Sequence, residues 1–299
     1  MPPAPTLNAL VAAELSEPVD RRVTAVAESV ARLYPDSARY ILFYGSCLRQ
    51  KELDGLMLDF YLIVSSYRDA YGRSWKAAAN RLIPPNVFPF EHDGLAAKYA
   101  VLSEEDFERE CGAEARSVSV WARFAQPSRL VWAKDEAART HAVVGVARAA
   151  PTLFELTRPT LDAPERDDPL AIFRAGFALT YGAELRAERS QRPGSIVDAE
   201  PERYERFGRL ALAETAGLSG PTPDKARRAW RRRQGRGKRL SLVRLLKAGA
   251  TWSNGIDYLA WKINRHAGTD IVVKPWQRRW PLLAAFTLLP RLLRRGAIR

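Results

Sequence analysis

The chain has 299 residues, 46% of them apolar, and 47 Lys+Arg against 34 Asp+Glu give a formal net charge of +13. That apolar share excludes a disordered chain, and two cysteines, Cys47 and Cys111, with no CxxC pair, exclude a disulfide scaffold or a thiolate zinc site. The length suits two domains, and no run of about 18 apolar residues is present to span a membrane.

The charge is placed unevenly. Residues 225–299 hold 20 Lys+Arg and 2 Asp+Glu, a net of +18, while the first 224 residues carry a net of −5. A mildly acidic body with a basic tail is a pattern that meets a polyanion. The opening MPPAPTLNALVAAELSEPVD has neither a basic start nor a continuous apolar core, so no signal peptide is expected. A reducing, cytoplasmic compartment fits the cysteine usage.

Pro2, Pro3 and Pro5 predict a flexible lead. Val23, Val26, Ala27, Val30 and Leu33 recur at helical spacing and predict an amphipathic helix over 21–34. Tyr40–Tyr44 and Leu58–Val64 are continuous apolar strands, as in the middle of a covered sheet. Between them lie Gly45-Ser46 and a loop over 47–56, and Asp59 is the one carboxylate of the second strand. Residues 68–82 read as a helix ended by Pro84-Pro85. A hairpin follows, with strands near Val87–Glu91 and Ala97–Leu102 about a turn at His92-Asp93-Gly94. Ser103 before Glu104-Glu105-Asp106 reads as an N-cap with an acidic first turn.

Helices are expected over 136–150 and 171–189, the second with an apolar stripe of Phe173, Phe177, Ala178, Tyr181 and Leu185. PERDDP (164–169) and RPGS (192–195) read as loops. From Gly220 the composition shifts, and residues 221–239 read as a basic, turn-rich linker. Helical patterning returns at LSLVRLLKAG (240–249) and in the series Trp252, Ile256, Leu259, Ile263. The end sets Trp276 and Trp280 beside arginines, then an apolar run over 280–290 too short to cross a bilayer but suited to its headgroup boundary.

Strand, Gly-Ser turn, loop and acidic strand together resemble the signature of the nucleotidyltransferase superfamily. Gly45 lets the backbone approach a triphosphate, Ser46 offers an N–H and a hydroxyl, and a carboxylate on the next strand can hold Mg²⁺ against the same phosphates. The segments FYGSCLRQ (43–50), LMLDFYLIV (56–64), AAKYAVLS (96–103), WARFAQP (121–127) and LVW (130–132) resemble, in order and spacing, the mitochondrial-type phosphatidate cytidylyltransferases of the translocator assembly and maintenance family. The likeness continues more weakly through 173–197 and 204–211, so it covers about residues 38–215.

That resemblance implies an α+β fold with a nucleotidyltransferase-type mixed sheet and flanking helices (1–135). It implies also a smaller helical, winged-helix-like domain (136–220) and a basic amphipathic tail (221–299) on the inner face of a membrane. It implies synthesis of CDP-diacylglycerol and pyrophosphate from CTP and phosphatidate, with Mg²⁺. Asp59 is the implied metal ligand, although Met57 occupies the place where most nucleotidyltransferases carry a paired carboxylate. Glu91 is the candidate for a further metal carboxylate, against a strand-end surface charge, and Asp54 is a lesser one, against a solvated turn residue. Lys98 and Arg123 match the family's lysine and arginine and are candidate phosphate clamps. Tyr44 and Gln50 match the motif without an assigned role, and no histidine pattern suggests catalysis.

Two other readings stay open. One is a nucleotidyltransferase acting on RNA, with the 227–239 arginine run on the backbone, although the aliphatic and tryptophan-rich tail suits a membrane better than nucleic acid. The other is a non-catalytic nucleotide-binding protein, motivated by the missing paired carboxylate.

Overall fold

The computed structural model describes residues 6–49, 53–183, 193–218, 220–251 and 274–275. Its centre is a five-stranded mixed sheet flanked by helices, an α+β arrangement. Helices α1 (Leu7–Leu15) and α2 (Arg21–Arg32) precede strand β1 (Ala38–Tyr44), and a 3₁₀ turn (Ser46–Arg49) leads toward β2 (Met57–Val64). Short helices α3 (Tyr67–Tyr71) and α4 (Trp75–Leu82) lead to the hairpin β3 (Asn86–His92) and β4 (Leu95–Ser103). Then come α5 (Glu104–Cys111), α6 (Trp121–Phe124) and β5 (Ser128–Ala133). Six helices complete the order: α7 (Glu136–Ala147), α8 (Ala149–Thr157), α9 (Pro169–Tyr181), α10 (Pro193–Ala199), α11 (Pro201–Thr215) and α12 (Pro223–Thr251).

The strands lie in the order β3-β4-β2-β1-β5, with β2 and β4 parallel and every other neighbour antiparallel. Both faces are covered, which is why the central strands are apolar at successive positions. On one face Ile41, Phe43, Leu58, Phe60 and Leu62 pack with Val23, Val26 and Val30 of α2. On the other, Tyr40, Leu42, Tyr61 and Ile63 share an apolar cluster with α1, α5 and the helices from α7 onward, reaching Trp230 of α12.

Several expectations are corrected. The helix expected over 68–82 is two, divided where Gly72 takes φ +62°, a left-handed conformation that glycine adopts without steric cost. The helix expected over 136–150 is also two and runs on to Thr157. Helix α9 ends at Tyr181, and residues 184–192 lie outside the described ones. The lead expected from Pro2, Pro3 and Pro5 lies outside the described residues, and the first described element is the unexpected α1, which Thr6 caps by accepting from the Ala9 N–H.

The largest correction concerns 221–239. This segment is no linker but the first half of the 29-residue α12. Gly235 and Gly237 suggest a turn, yet the Arg, Lys, Ala and Gln around them are good helix formers. Packing decides the matter: Trp230 is 2% exposed and its Nε1 donates to the Leu156 carbonyl at 2.7 Å, while Gln234 Nε2 donates to the Leu179 carbonyl at 3.0 Å. Gly237 is needed because a Cβ there would collide with the Ala183 carbonyl. The amphipathic patterns expected over 252–273 and 276–299 lie outside the described residues.

Candidate functional site

The alternation of β2 sends Leu58, Phe60 and Leu62 toward α2, so Asp59 and Tyr61 take the opposite face. Register does the rest. Tyr44 is the β1 partner of Asp59, and Lys98 is its β4 partner, so three strands set Tyr44, Asp59 and Lys98 in one row. Lys98 Nζ stands 2.8 Å from Asp59 Oδ1, both side chains about a quarter exposed at 27% and 22%. At the end of β1 the chain turns over this row. Gly45 has φ +98°, and a Cβ on it would lie 3.4 Å from Asp59 Oδ2. The Gly-Ser turn therefore crosses directly above the carboxylate, with Ser46 exposed at the start of the 3₁₀ turn.

Arg123 arrives from α6, its Nη1 donating to the Ser119 carbonyl. Together with Tyr44, Tyr61, Asp59 and Lys98 it lines a cavity of about 320 Å³. Burial pushes the Tyr44 phenol well above its ordinary range, and the Asp59 charge pushes it further, while Arg123 opposes both. Tyr44 thus stays a neutral hydrogen-bonding group at any physiological pH.

The remaining predicted residues fall elsewhere. Glu91 is exposed and pairs with Ala96, two residues along and two strands across from Asp59; two strand spacings are about 10 Å. It does not line the cavity. Asp54 is exposed and pairs with Arg22 at 3.1 Å on the α2 side. Gln50 lies outside the described residues. Among the described residues no group of three His, Cys, Asp or Glu is placed to hold a metal ion.

Sequence reasoning missed three residues that the fold brings in from α12. Ser241, Arg244 and Lys247 line the same cavity. Arg244 Nε donates to the Pro84 carbonyl at 2.8 Å, and its Nη1 and Nη2 donate to Ser119 Oγ and Ser117 Oγ at 2.7 and 3.3 Å. Lys247 Nζ donates to the Pro85 carbonyl at 2.8 Å and also to that of Ile83. Burial, reinforced by the Arg244 charge, pushes the Lys247 ammonium down to about 7. The one available signal was their spacing, two cations one helical turn apart inside an otherwise apolar LSLVRLLKAG. Among the described lining residues the cavity thus sets four cations against one carboxylate, a lining that favours an anionic ligand.

No family model matches the chain. No curated protein matches it. Among solved structures it is similar to a nucleotidyltransferase-like protein from Exiguobacterium sibiricum, with 11% identity over 92% of each chain and a TM-score of 0.29. A likeness that loose carries no argument about chemistry, which rests on the side chains above.

Proposed function

We propose that the chain is a nucleotidyltransferase that moves a cytidylyl group from CTP to phosphatidate, giving CDP-diacylglycerol and pyrophosphate. The observation that supports it is one cation-rich cavity lined by Asp59, Lys98 and Arg123, with the Gly45-Ser46 turn close over Asp59. The choice of CTP and phosphatidate comes from the resemblance of FYGSCLRQ, LMLDFYLIV, AAKYAVLS and WARFAQP. The geometry speaks for phosphate chemistry as such.

The donor set can be tested against Mg²⁺. Asp59 is the one carboxylate lining the cavity among the described residues, and Lys98 is already at its Oδ1. That does not fit an ion held by protein groups alone. It fits a magnesium ion carried by a triphosphate, since such ions commonly take one or two carboxylates and complete their shell with phosphate oxygens and water. Asp59 is then the protein ligand, and the ion supplies charge neutralisation at the transferring phosphorus.

The chain's own groups have little proton transfer to perform. A phosphatidate phosphate is anionic near neutral pH, so its oxygen is a nucleophile without a general base. That oxygen bonds to the α-phosphorus in line, the bond from the α-phosphorus to the bridging oxygen breaks, and pyrophosphate leaves with the electron pair. Lys98 and Arg123 offset the repulsion between the two polyanions, and the backbone at Gly45-Ser46 positions the triphosphate. Tyr44, kept neutral, donates a hydrogen bond without adding negative charge.

An anionic membrane surface is the proposed partner. Arg227, Arg228, Arg231, Arg232, Arg236, Lys238 and Arg239 are exposed along the first half of α12, each contributing about 1 kcal/mol near such a surface. No helix among the described residues is long and apolar enough to cross a membrane. The ion pair of the lone carboxylate Asp59 with Lys98 also suits a protein that binds a nucleotide without turning it over. Labelled CTP with phosphatidate vesicles and Mg²⁺ decides: a labelled lipid product supports the proposal. Label transferred only to RNA offered in place of vesicles, or CTP binding without turnover, overturns it.

A further inference from the structure

Ser241, Arg244 and Lys247 fall at intervals of three along α12, so one face of that helix forms a wall of the cavity. The wall is built to a set position. Arg244 is anchored at three points on two segments, the Pro84 carbonyl and the hydroxyls of Ser117 and Ser119, and Lys247 is anchored on the carbonyls of Ile83 and Pro85. These anchors are neutral oxygens, which orient a cation without themselves adding negative charge. The same Ser119 gives its carbonyl to Arg123, so one residue ties the α12 wall to the inner arginine.

We propose that Arg244 and Lys247 form a second phosphate subsite facing Asp59, Lys98 and Arg123, so that the cavity takes ligands bearing two or more phosphate charges and α12 is held over it when they bind. This rests on reading the cavity as a phosphate-transfer site and goes beyond it in making the basic helix part of the binding machinery. Lys98 and Arg123 hold one phosphate against the Gly45-Ser46 turn, and the α12 pair holds another, either the far end of a polyphosphate or the phosphomonoester of the acceptor.

Proton linkage gives the subsite a signature. Among the described residues, the charged groups at the cavity with Lys247 are Arg244 on its own helix, Lys98 on β4, Arg123 on α6 and Asp59 on β2. Burial, and then the Arg244 charge, lower its proton affinity to about 7. An arriving phosphate reverses the balance and raises it. Binding therefore takes up a proton above neutrality, and affinity falls as pH rises from about 7 toward the value of the bound state.

The test is calorimetric titration of the full chain with inorganic triphosphate, and separately with glycerol 3-phosphate, at pH 8 in two buffers of different ionisation enthalpy. The parent is expected to bind triphosphate with uptake of about one proton. Arg244→Gln and Lys247→Met are each expected to weaken one probe at least about tenfold, the loss of a charge-assisted contact. The probe that weakens identifies which phosphate the subsite holds. Lys247→Arg should retain affinity but lose the proton uptake, which guards against a mere folding defect. Parent-like affinity for both probes in Arg244→Gln and Lys247→Met, or uptake that survives Lys247→Met, overturns the subsite alone. A parent that binds neither probe overturns the subsite and the proposed function together.

Discussion

Asp59→Asn should separate binding from turnover, because the same carboxylate opposes bare phosphate and favours metal-bound phosphate. The replacement is isosteric and leaves a polar oxygen beside Lys98 Nζ, now 2.8 Å from Oδ1, so the fold should be kept. What changes is one negative charge in a cavity of four cations. A phosphate about 5 Å from a carboxylate is repelled by about 3 kcal/mol at an effective dielectric of about 20. Asp59 and Lys98 are each about a quarter exposed, so solvent and salt remove roughly half of that. Metal-free CTP should therefore bind Asp59→Asn about tenfold tighter than the parent, by calorimetry in EDTA.

With Mg²⁺ the sign reverses. The variant loses its one metal carboxylate, so the gain in affinity should vanish and turnover should fall at least about a hundredfold. Calorimetry and a CTP-to-lipid assay on the same preparation read both halves, with a melting curve to confirm folding. Retained turnover at saturating Mg²⁺ would falsify the metal-ligand role. Unchanged or weaker metal-free binding refutes the electrostatic reasoning independently.

Gly45→Val should abolish detectable triphosphate binding and Ser46→Ala should weaken it several-fold, since the first forces a β-branched residue to φ +98° above Asp59 and the second removes only a hydroxyl; equal affinities in both refute the cradle. Arg203→Met should cost about 3–5 kcal/mol in denaturant unfolding, because Glu14, 7% exposed, loses the Arg203 Nε and Nη2 donors and keeps only the Ser128 N–H at 3.4 Å against a buried, uncompensated charge. The Glu14→Leu/Arg203→Met double variant should recover most of that loss, and a double variant as unstable as the single one contradicts the account. Because the folded ammonium of Lys247 sits at about 7 against an ordinary 10.5, the unfolded chain binds more protons between those values. The ligand-free melting temperature should then rise from pH 7 to pH 9 more steeply in the parent than in Lys247→Met, and identical slopes discard the shift. Deleting residues 274–299 should release the chain from anionic vesicles in sedimentation while its melting curve is kept; vesicle binding that persists removes that segment from the membrane contact.

The sheet was legible because its signals are local. Tyr40–Tyr44 and Leu58–Val64 are continuous apolar runs, and a sheet covered on both faces demands such runs, so β1 and β2 appear within two residues of their expected ends. The hairpin was legible from Asp93-Gly94, both of which take positive φ. Asp59, Lys98 and Arg123 come together as one cavity lining because register and alternation, once the strands are right, leave side chains little choice of face. Glu91 shows the limit of that reasoning. It lies on a strand of the same sheet, but the row on which a residue falls is set by pairing register, and the row of Glu91 ends at Met57 and not at Asp59.

The first half of α12, residues 223–239, was illegible for the opposite reason, while 240–249 carried the expected helical patterning. Its arginines are compatible with a linker, a nucleic-acid arm or a helix, and its two glycines argue for a turn. What makes it a helix is remote: the Leu156 and Leu179 carbonyls that receive Trp230 and Gln234, and the Ala183 carbonyl that only a glycine can approach. Those contacts also fix its direction. At about 1.5 Å per residue, Lys247 stands about 25 Å along the axis from Trp230, and that length carries the helix from the α8–α9 side across the sheet edge to the cavity. Within a basic segment read as an external attachment, Arg244 and Lys247 of α12 therefore stand against the site instead. Net charge along a sequence says how strongly a segment seeks anions, but only the packing of its apolar and small residues says where those anions will be met.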